Sequence, residues 1–229
     1  MVELSTRRGS FARRSALAVG AVWSRTCVLA GCVCILGAAC ERPTAESPSV
    51  EAAAELPLQP VTRFPDDFQW RQRVTARWEH SSRAFDAVVT KDGDQLRLLG
   101  LDPIGRPGFI FTLQGGQVRV ENRTGQHLPF DPGYILLDVQ RAFYPWIERP
   151  TQDGWHSRAV GAHYVAEHWR EGRLRQRRFH PDSSSAPDVV ITYDEYGKEL
   201  SIPRRVELVH RIRGYSLVIE TMDQQTFTP

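Results

Sequence analysis

The stretch Phe68-Gln69-Trp70-Arg71-Gln72-Arg73-Val74-Thr75-Ala76-Arg77-Trp78 decides the fold class. Phe68, Trp70, Val74, Ala76 and Trp78 fall on every second position, with Gln, Arg or Thr between them. Successive side chains of a strand point to opposite faces, so the stretch predicts a long strand with one dry face and one wet face. Gln72 alone breaks the apolar face. Downstream, Phe85, Ala87 and Val89 repeat the pattern, and Lys91-Asp92-Gly93-Asp94 supplies a hairpin turn into Leu96-Arg97-Leu98. Asp102-Pro103-Ile104-Gly105 turns the chain before Phe109-Ile110-Phe111-Thr112-Leu113, and Gly115-Gly116 turns it again before Val118-Arg119-Val120. Strands at this spacing indicate a sheet that curls into a barrel or sandwich.

The period then changes. Ile135, Leu136, Val139, Ala142, Phe143 and Trp146 recur three and four residues apart, which predicts an amphipathic helix over 131–146. Asp131 suits its N-cap, Pro132 its first turn, and Pro145 ends or kinks it. Asp138 falls on the expected polar face. Further strands are expected near 161–169, 174–179, 189–193, 205–213 and 215–221. The expected class is therefore mainly β (α+β), with mostly antiparallel strands.

Charge and cysteine usage divide the chain differently. The 229 residues carry 29 basic and 27 acidic side chains, a net +2. The first 39 residues hold Arg7, Arg8, Arg13, Arg14 and Arg25 against Glu3 alone, so the remainder is slightly acidic. Nothing in that balance argues for a nucleic-acid partner. All four cysteines, Cys27, Cys32, Cys34 and Cys40, lie in the N-terminal segment. The rest of the chain can form neither a disulfide framework nor a thiolate metal site.

The run from Thr26 to Cys40 is uncharged, apolar and too short to span a bilayer comfortably. A basic flank and small residues before Cys40 make 1–39 a signal peptide. Gly37-Ala38-Ala39-Cys40 resembles the bacterial lipobox, whose cysteine is acylated and becomes the new N-terminus. Leu29-Ala30-Gly31-Cys32 matches that motif more closely, but cleavage there would leave an apolar stretch at the mature end, so Cys40 is the preferred site. A start nearer Val22 would give a leader of ordinary length, and an uncleaved anchor is the alternative reading. Residues 40–63, rich in Pro, Ala, Glu and Ser up to about Pro60, read as a lipidated cysteine and a disordered tether. The single domain is expected over 64–229. Glu41, rather than Asp, follows the cysteine, which leaves delivery to the outer membrane open.

A catalytic reading finds little support. There is no Gly-x-Ser-x-Gly elbow, and the seven histidines lack metal-ligand spacing. Asp138 and Glu148 have no evident acid–base partner.

The order Gly-Leu-Asp-Pro-Ile-Gly-Arg (100–106), Phe-Ile-Phe-Thr-Leu (109–113) and Leu-Leu-Asp-Val-Gln-Arg-Ala-Phe-Tyr-Pro-Trp (136–146) resembles a bacterial lipoprotein family of unknown function often carried in aryl polyene gene clusters. The shared pattern falls on Leu136, Asp138, Gln140, Tyr144 and Pro145, with Gly105 in the preceding turn, and Gly-Tyr-Ser-Leu-Val-Ile-Glu-Thr (214–221) fits as well. This chain carries Arg141 where an aliphatic residue is more usual. That family is similar to the LolA/LolB lipoprotein carriers. The resemblance implies an open, curved antiparallel half-barrel with helices packed on or across an apolar concave face. It further implies a periplasm-facing, outer-membrane lipoprotein that binds or transfers acylated molecules, lipoproteins or aryl-polyene-type lipids, with a periplasmic carrier protein as partner and no cofactor or metal. Trp70, Trp78, Phe109, Phe111, Val139, Phe143 and Trp146 are the candidates to line its cavity. A protein-binding or sensing module on the same scaffold is the alternative, and a periplasmic hydrolase a weaker one.

Overall fold

The described residues of this computed structural model are 56–125, 131–182, 186–197 and 202–227. The expected signal peptide and the expected lipidation site, Cys40, lie outside them. The alternating stretch quoted first forms β1 (Asp67–Trp78). It is followed by β2 (Ser81–Asp92), β3 (Gln95–Leu101), β4 (Pro107–Gln114), β5 (Gln117–Asn122), the helix α1 (Pro132–Phe143), β6 (Gly154–Val160), β7 (His163–Arg170), β8 (Arg173–His180), β9 (Val189–Asp194), β10 (Arg205–His210) and β11 (Tyr215–Phe227). The strands form one antiparallel sheet in the order β5-β4-β3-β2-β1-β11-β10-β9-β8-β7-β6. Two hairpin meanders thus meet along β1 and β11, and the sheet is open, with β5 and β6 as its edges.

That topology places α1. The chain leaves one edge strand, β5, and returns at the other, β6, so the intervening helix crosses a face of the sheet. It approaches β4 and β5, and its last carbonyls accept hydrogen bonds from Arg177 of β8 and Tyr193 of β9. Laid flat, the strands from β5 to β8 would spread over about 38 Å, whereas a helix of this length extends about 18 Å. One short helix reaches both sides only because the sheet curls around it. The concave face carries the core, including Phe68, Trp70, Ala87, Val89, Phe111, Ile191, Val206 and Leu208, all buried.

Gln72 has a structural explanation. It is buried, and the register between β1 and β11 shifts between Arg71 and Gln72. The break in the apolar pattern is a β-bulge, where the ladder is locally disrupted and the strand bends.

Three expectations need correction. Residues 56–63 are not part of a free tether. Leu56 and Val61 are buried in the core, residues Val61–Arg63 form a 3-10 turn, and the Gln59 N–H donates to Gln140 Oε1 at 2.7 Å. The packed chain therefore begins by Leu56 rather than at 64. The helix is shorter than 131–146 and has no wet face over its second half: Leu136, Leu137, Asp138, Val139, Gln140, Arg141 and Ala142 are all buried. Finally, β6 was not expected, because Gly154–Val160 alternates too weakly to declare itself.

The charged groups inside are matched. Arg177 Nε donates to Glu167 Oε1 at 2.8 Å, and its Nη1 donates to the carbonyls of Arg141 (2.5 Å) and Ala142 (3.2 Å). Glu167 also accepts from Trp169 Nε1 at 3.0 Å. Removing one partner of a buried pair strands the other charge. Arg177→Met should therefore cost about 3–5 kcal/mol in urea unfolding, and Arg177→Met combined with Glu167→Leu should recover much of that loss.

Candidate ligand-binding face

The motif residues hold α1 in place. Asp131 caps its N-terminus by accepting from the Gly133 N–H at 2.7 Å, and Pro132 occupies the first turn, where its missing N–H costs nothing. Leu136 is fully buried. Asp138 pairs with Arg141 at 3.0 Å and accepts a hydrogen bond from the Tyr215 hydroxyl of β11. Burial pushes the Asp138 carboxyl above the ordinary carboxylate range, against the pull of the Arg141 guanidinium and the Tyr215 hydroxyl. Burial, reinforced by Asp138, likewise pushes the Tyr215 hydroxyl up. The Gln140 side chain exchanges a pair of hydrogen bonds with the Gln59 backbone, at 2.7 and 2.8 Å, and the Gln140 carbonyl accepts from Trp146 Nε1 at 2.9 Å. Pro145 stops the helix: Tyr144, just before it, is extended, as a residue preceding proline prefers. The Pro145 carbonyl then accepts from Arg63 Nε at 3.1 Å. Gly105 lies in the tight turn closed by Asp102, at φ +82°, a conformation glycine adopts freely. These residues position the helix and the turns. They expose no reactive group.

The seven proposed cavity residues separate into two groups. Trp70, Phe111, Trp146 and Val139 are enclosed by protein. Phe68 stacks on Trp70 with ring centroids 3.6 Å apart, and Phe179 meets Trp146 edge-on at 5.2 Å. Trp78, Phe109 and Phe143 are half-buried. Phe143 tilts against Trp70 at 5.1 Å, and Phe109 stacks on Phe111 at 4.8 Å. Phe109 has this place because β3 offers Gly100 opposite it; a Cβ there would stand 2.1 Å from the ring. Phe85, Val118 and Ile135 are also half-buried against the core. Together with Phe109 and Phe143 they make a scattered apolar margin on α1, β2, β4 and β5, in which Phe85 meets Phe109 edge-on at 5.7 Å. Their period-2 and helical positions carried the signal for these three in the sequence.

A second feature was not foreseen. At one end of the sheet, beside the turns after β1 and β10, lies an open depression of about 440 Å³. It is lined by Arg77, Trp78, Glu79, Val209, His210, Arg211, Gly214, Tyr215 and Ser216. His210 is buried, its Nδ1 accepts from the Arg213 N–H at 3.4 Å, and its ring lies 5.1 Å from that of Tyr215. Burial, helped by the cations Arg141 and Arg213, lowers its pKa from the ordinary 6.5 to about 4, so the ring is neutral at pH 7. Of the seven candidates, Trp78 alone lines this depression. Among the described residues no three His, Cys, Asp or Glu side chains are grouped as metal ligands.

A family profile described as "Protein of unknown function (DUF3261)" matches residues 69–223, more than half of the chain. A search of curated proteins returns no match. Among solved structures, the chain is similar to a LolA superfamily protein from Nitrosomonas europaea, at 12% identity and TM-score 0.44, covering 73% of this chain and 89% of that one. It is also similar to a putative outer membrane lipoprotein-sorting protein domain from Vibrio parahaemolyticus, at 13% identity and TM-score 0.44, covering 71% and 86%. A DUF1329 family protein from Desulfovibrio piger aligns at 9% identity and TM-score 0.33, covering 72% and 87%.

Two measurements check this description. Trp146→Ala empties a packed site and should cost about 3–5 kcal/mol in urea unfolding. Phe143→Ala, half-buried in the apolar margin, should cost only about 1–2 kcal/mol. His210 sets a pH dependence. The unfolded chain protonates this ring near 6.5 and the folded chain only near 4, so its contribution to stability is complete above pH 6.5 and lost as pH falls to about 4. The urea midpoint should drop across that window, and His210→Gln should flatten the drop.

Proposed function

We propose that this chain, which belongs to the DUF3261 family of proteins of unknown function, is an exported lipoprotein that binds and hands on acylated molecules. In this reading a signal peptide over 1–39 is removed, and a lipid on Cys40 holds the domain to the periplasmic side of the outer membrane. Residues from 41 to about 55 form the tether. The cargo is an acylated lipoprotein or an aryl-polyene-type lipid, delivered by or passed to a periplasmic carrier protein.

The observation that carries this reading is the apolar margin beside α1. Phe85, Phe109, Val118, Ile135 and Phe143 pack against the core, yet all remain half open to solvent. The helix itself is fastened through its second half by polar bonds to β8, β9 and β11. Its first turn, 132–135, is only half-buried. An acyl chain laid along this margin would remove apolar surface from water at about 25 cal/mol per Å². The role is binding; no group in the margin can act as acid, base or nucleophile.

A second reading, a protein-binding module on the same scaffold, is favoured by the enclosure of Trp70, Phe111 and Trp146, which fills much of the concave face. Detergent-free protein isolated from its membrane distinguishes the two. The carrier reading expects acyl species in native mass spectrometry and saturable displacement of a fluorescent fatty acid. An empty protein that takes up no fatty acid would overturn it and leave the protein-binding module. Cys40→Ser should move the folded domain from the membrane to the soluble fraction and abolish acyl labelling. Labelling that persists would shift the site to Cys32.

A further inference from the structure

The concave face is built of cross-strand rows, and its rows change character toward one end. Val74, Ile219, Val206 and Tyr193 are aligned across β1, β11, β10 and β9, and the next row is Ala76, Leu217, Leu208 and Ile191. The row after that is Trp78, Tyr215, His210 and Val189. The apolar interior therefore ends in a row that carries an indole, a phenol and an imidazole, and Trp78, Tyr215 and His210 of that row line the open depression.

Three observations point to a ligand there. First, His210 is only 5% exposed, and its Nε2 has no hydrogen-bond partner among the described residues. Because Nδ1 accepts the Arg213 N–H, Nε2 is the nitrogen that carries the proton in the neutral ring, so it is a buried donor on a residue that lines the depression. A buried donor left unmatched is costly, and native proteins rarely keep one without a use. Second, Arg77 and Arg211 both line the depression, and neither side chain forms an ion pair among the described residues. Glu79 is the acidic residue of the lining, so cations outnumber it. Third, the half-buried Trp78 lines the depression and stands in the row next to the apolar row of Ala76 and Leu217. A volume of about 440 Å³ falls within the range of small-molecule sites, which combine apolar walls with a few placed polar groups.

We propose that this depression recognises an oxyanion head group, a carboxylate or phosphate, on an apolar molecule whose chain runs along the concave face. His210 Nε2–H donates to one oxygen, Arg77 and Arg211 balance the charge, and Trp78 packs on the first carbons of the chain. Tyr215 does not bind the head group, because its hydroxyl is committed to Asp138. The proposal rests on the acyl-binding reading above and adds to it the chemical class of the ligand: anionic amphiphiles are preferred over neutral ones.

The test uses the full chain and three probes, dodecanoate, dodecanol and inorganic phosphate, with binding measured by calorimetry. Charge-assisted bonds should make dodecanoate bind about tenfold or more tighter than dodecanol. Arg211→Gln, at an exposed position, should remove most of that preference. His210→Phe should do the same. Phosphate binding that is lost in Arg211→Gln, with no preference between the amphiphiles, would keep the oxyanion chemistry and identify a free anion as its source. Equal binding of dodecanoate and dodecanol without phosphate binding, or a preference that survives Arg211→Gln, would overturn the head-group site and leave acyl binding standing. Failure of all three probes to bind would overturn both.

Discussion

Everything on the concave face depends on how the C-terminal end of one short helix is held. A helix ends with carbonyls that have no partner of their own, and an interior cannot leave them unmatched. Here the Arg177 guanidinium takes the carbonyls of Arg141 and Ala142, the Tyr193 hydroxyl takes that of Ala142 as well, and the Trp146 indole takes that of Gln140. A cation at this end also matches the helix dipole. Its charge is balanced by Glu167 of the neighbouring strand β7, itself fully buried. The bonds are directional, so they set the helix's position along the sheet more sharply than apolar contact would.

That constraint explains why the interior has two characters. Close to the pinned end, side chains are enclosed and fill the space: Trp146 against Phe179, Trp70 against Phe68. Toward the other end, Ile135 of the helix's first turn is half-buried, as are Phe85, Phe109 and Val118 of the strands, while Phe143 at the pinned end is half-buried against Trp70. Under the acyl-binding reading proposed above, the less enclosed part of the face is where a flexible chain would enter, since local opening draws on the least packed part of a structure. The polar row of Trp78, Tyr215 and His210 closes the same face at one end. An apolar margin and a cationic, hydrogen-bonding rim are then parts of one surface. Asp138 joins them, since it pairs with Arg141 on the helix and with Tyr215 on the rim strand.

Arg141 illustrates how local pattern and tertiary context diverge. On an amphipathic helix an arginine at that position reads as a wet-face residue, and Asp138 three residues before it reads the same way. The two instead pair with each other inside the protein, and Arg141 also lies over the Phe179 ring at 5.8 Å. A pair of opposite charges at i and i+3 can be buried together where either alone could not. Gln72 is a similar case: a polar residue on a dry face that the sheet accommodates with a bulge.

The sequence by itself determined what depends on local periodicity and local chemistry. The period of two in 68–78 and in the later stretches made the domain an antiparallel sheet, because a strand shows alternate residues to each face whatever lies beside it. Asp131, Pro132 and Pro145 bounded the helix, because caps and proline act within a few residues. The cysteines, all confined to the first 40 residues, excluded a disulfide framework for the domain. Only the tertiary structure decided which aromatics are enclosed, that Leu56 and Val61 belong to the core, that weakly patterned residues form the edge strand β6, and that His210 meets Trp78 and Tyr215. Those facts rest on pairings between residues up to more than a hundred positions apart, such as Trp78 with Tyr215. No local pattern encodes such a register, because it is set by the joining of two meanders along β1 and β11 and by the curl that one helix imposes on both.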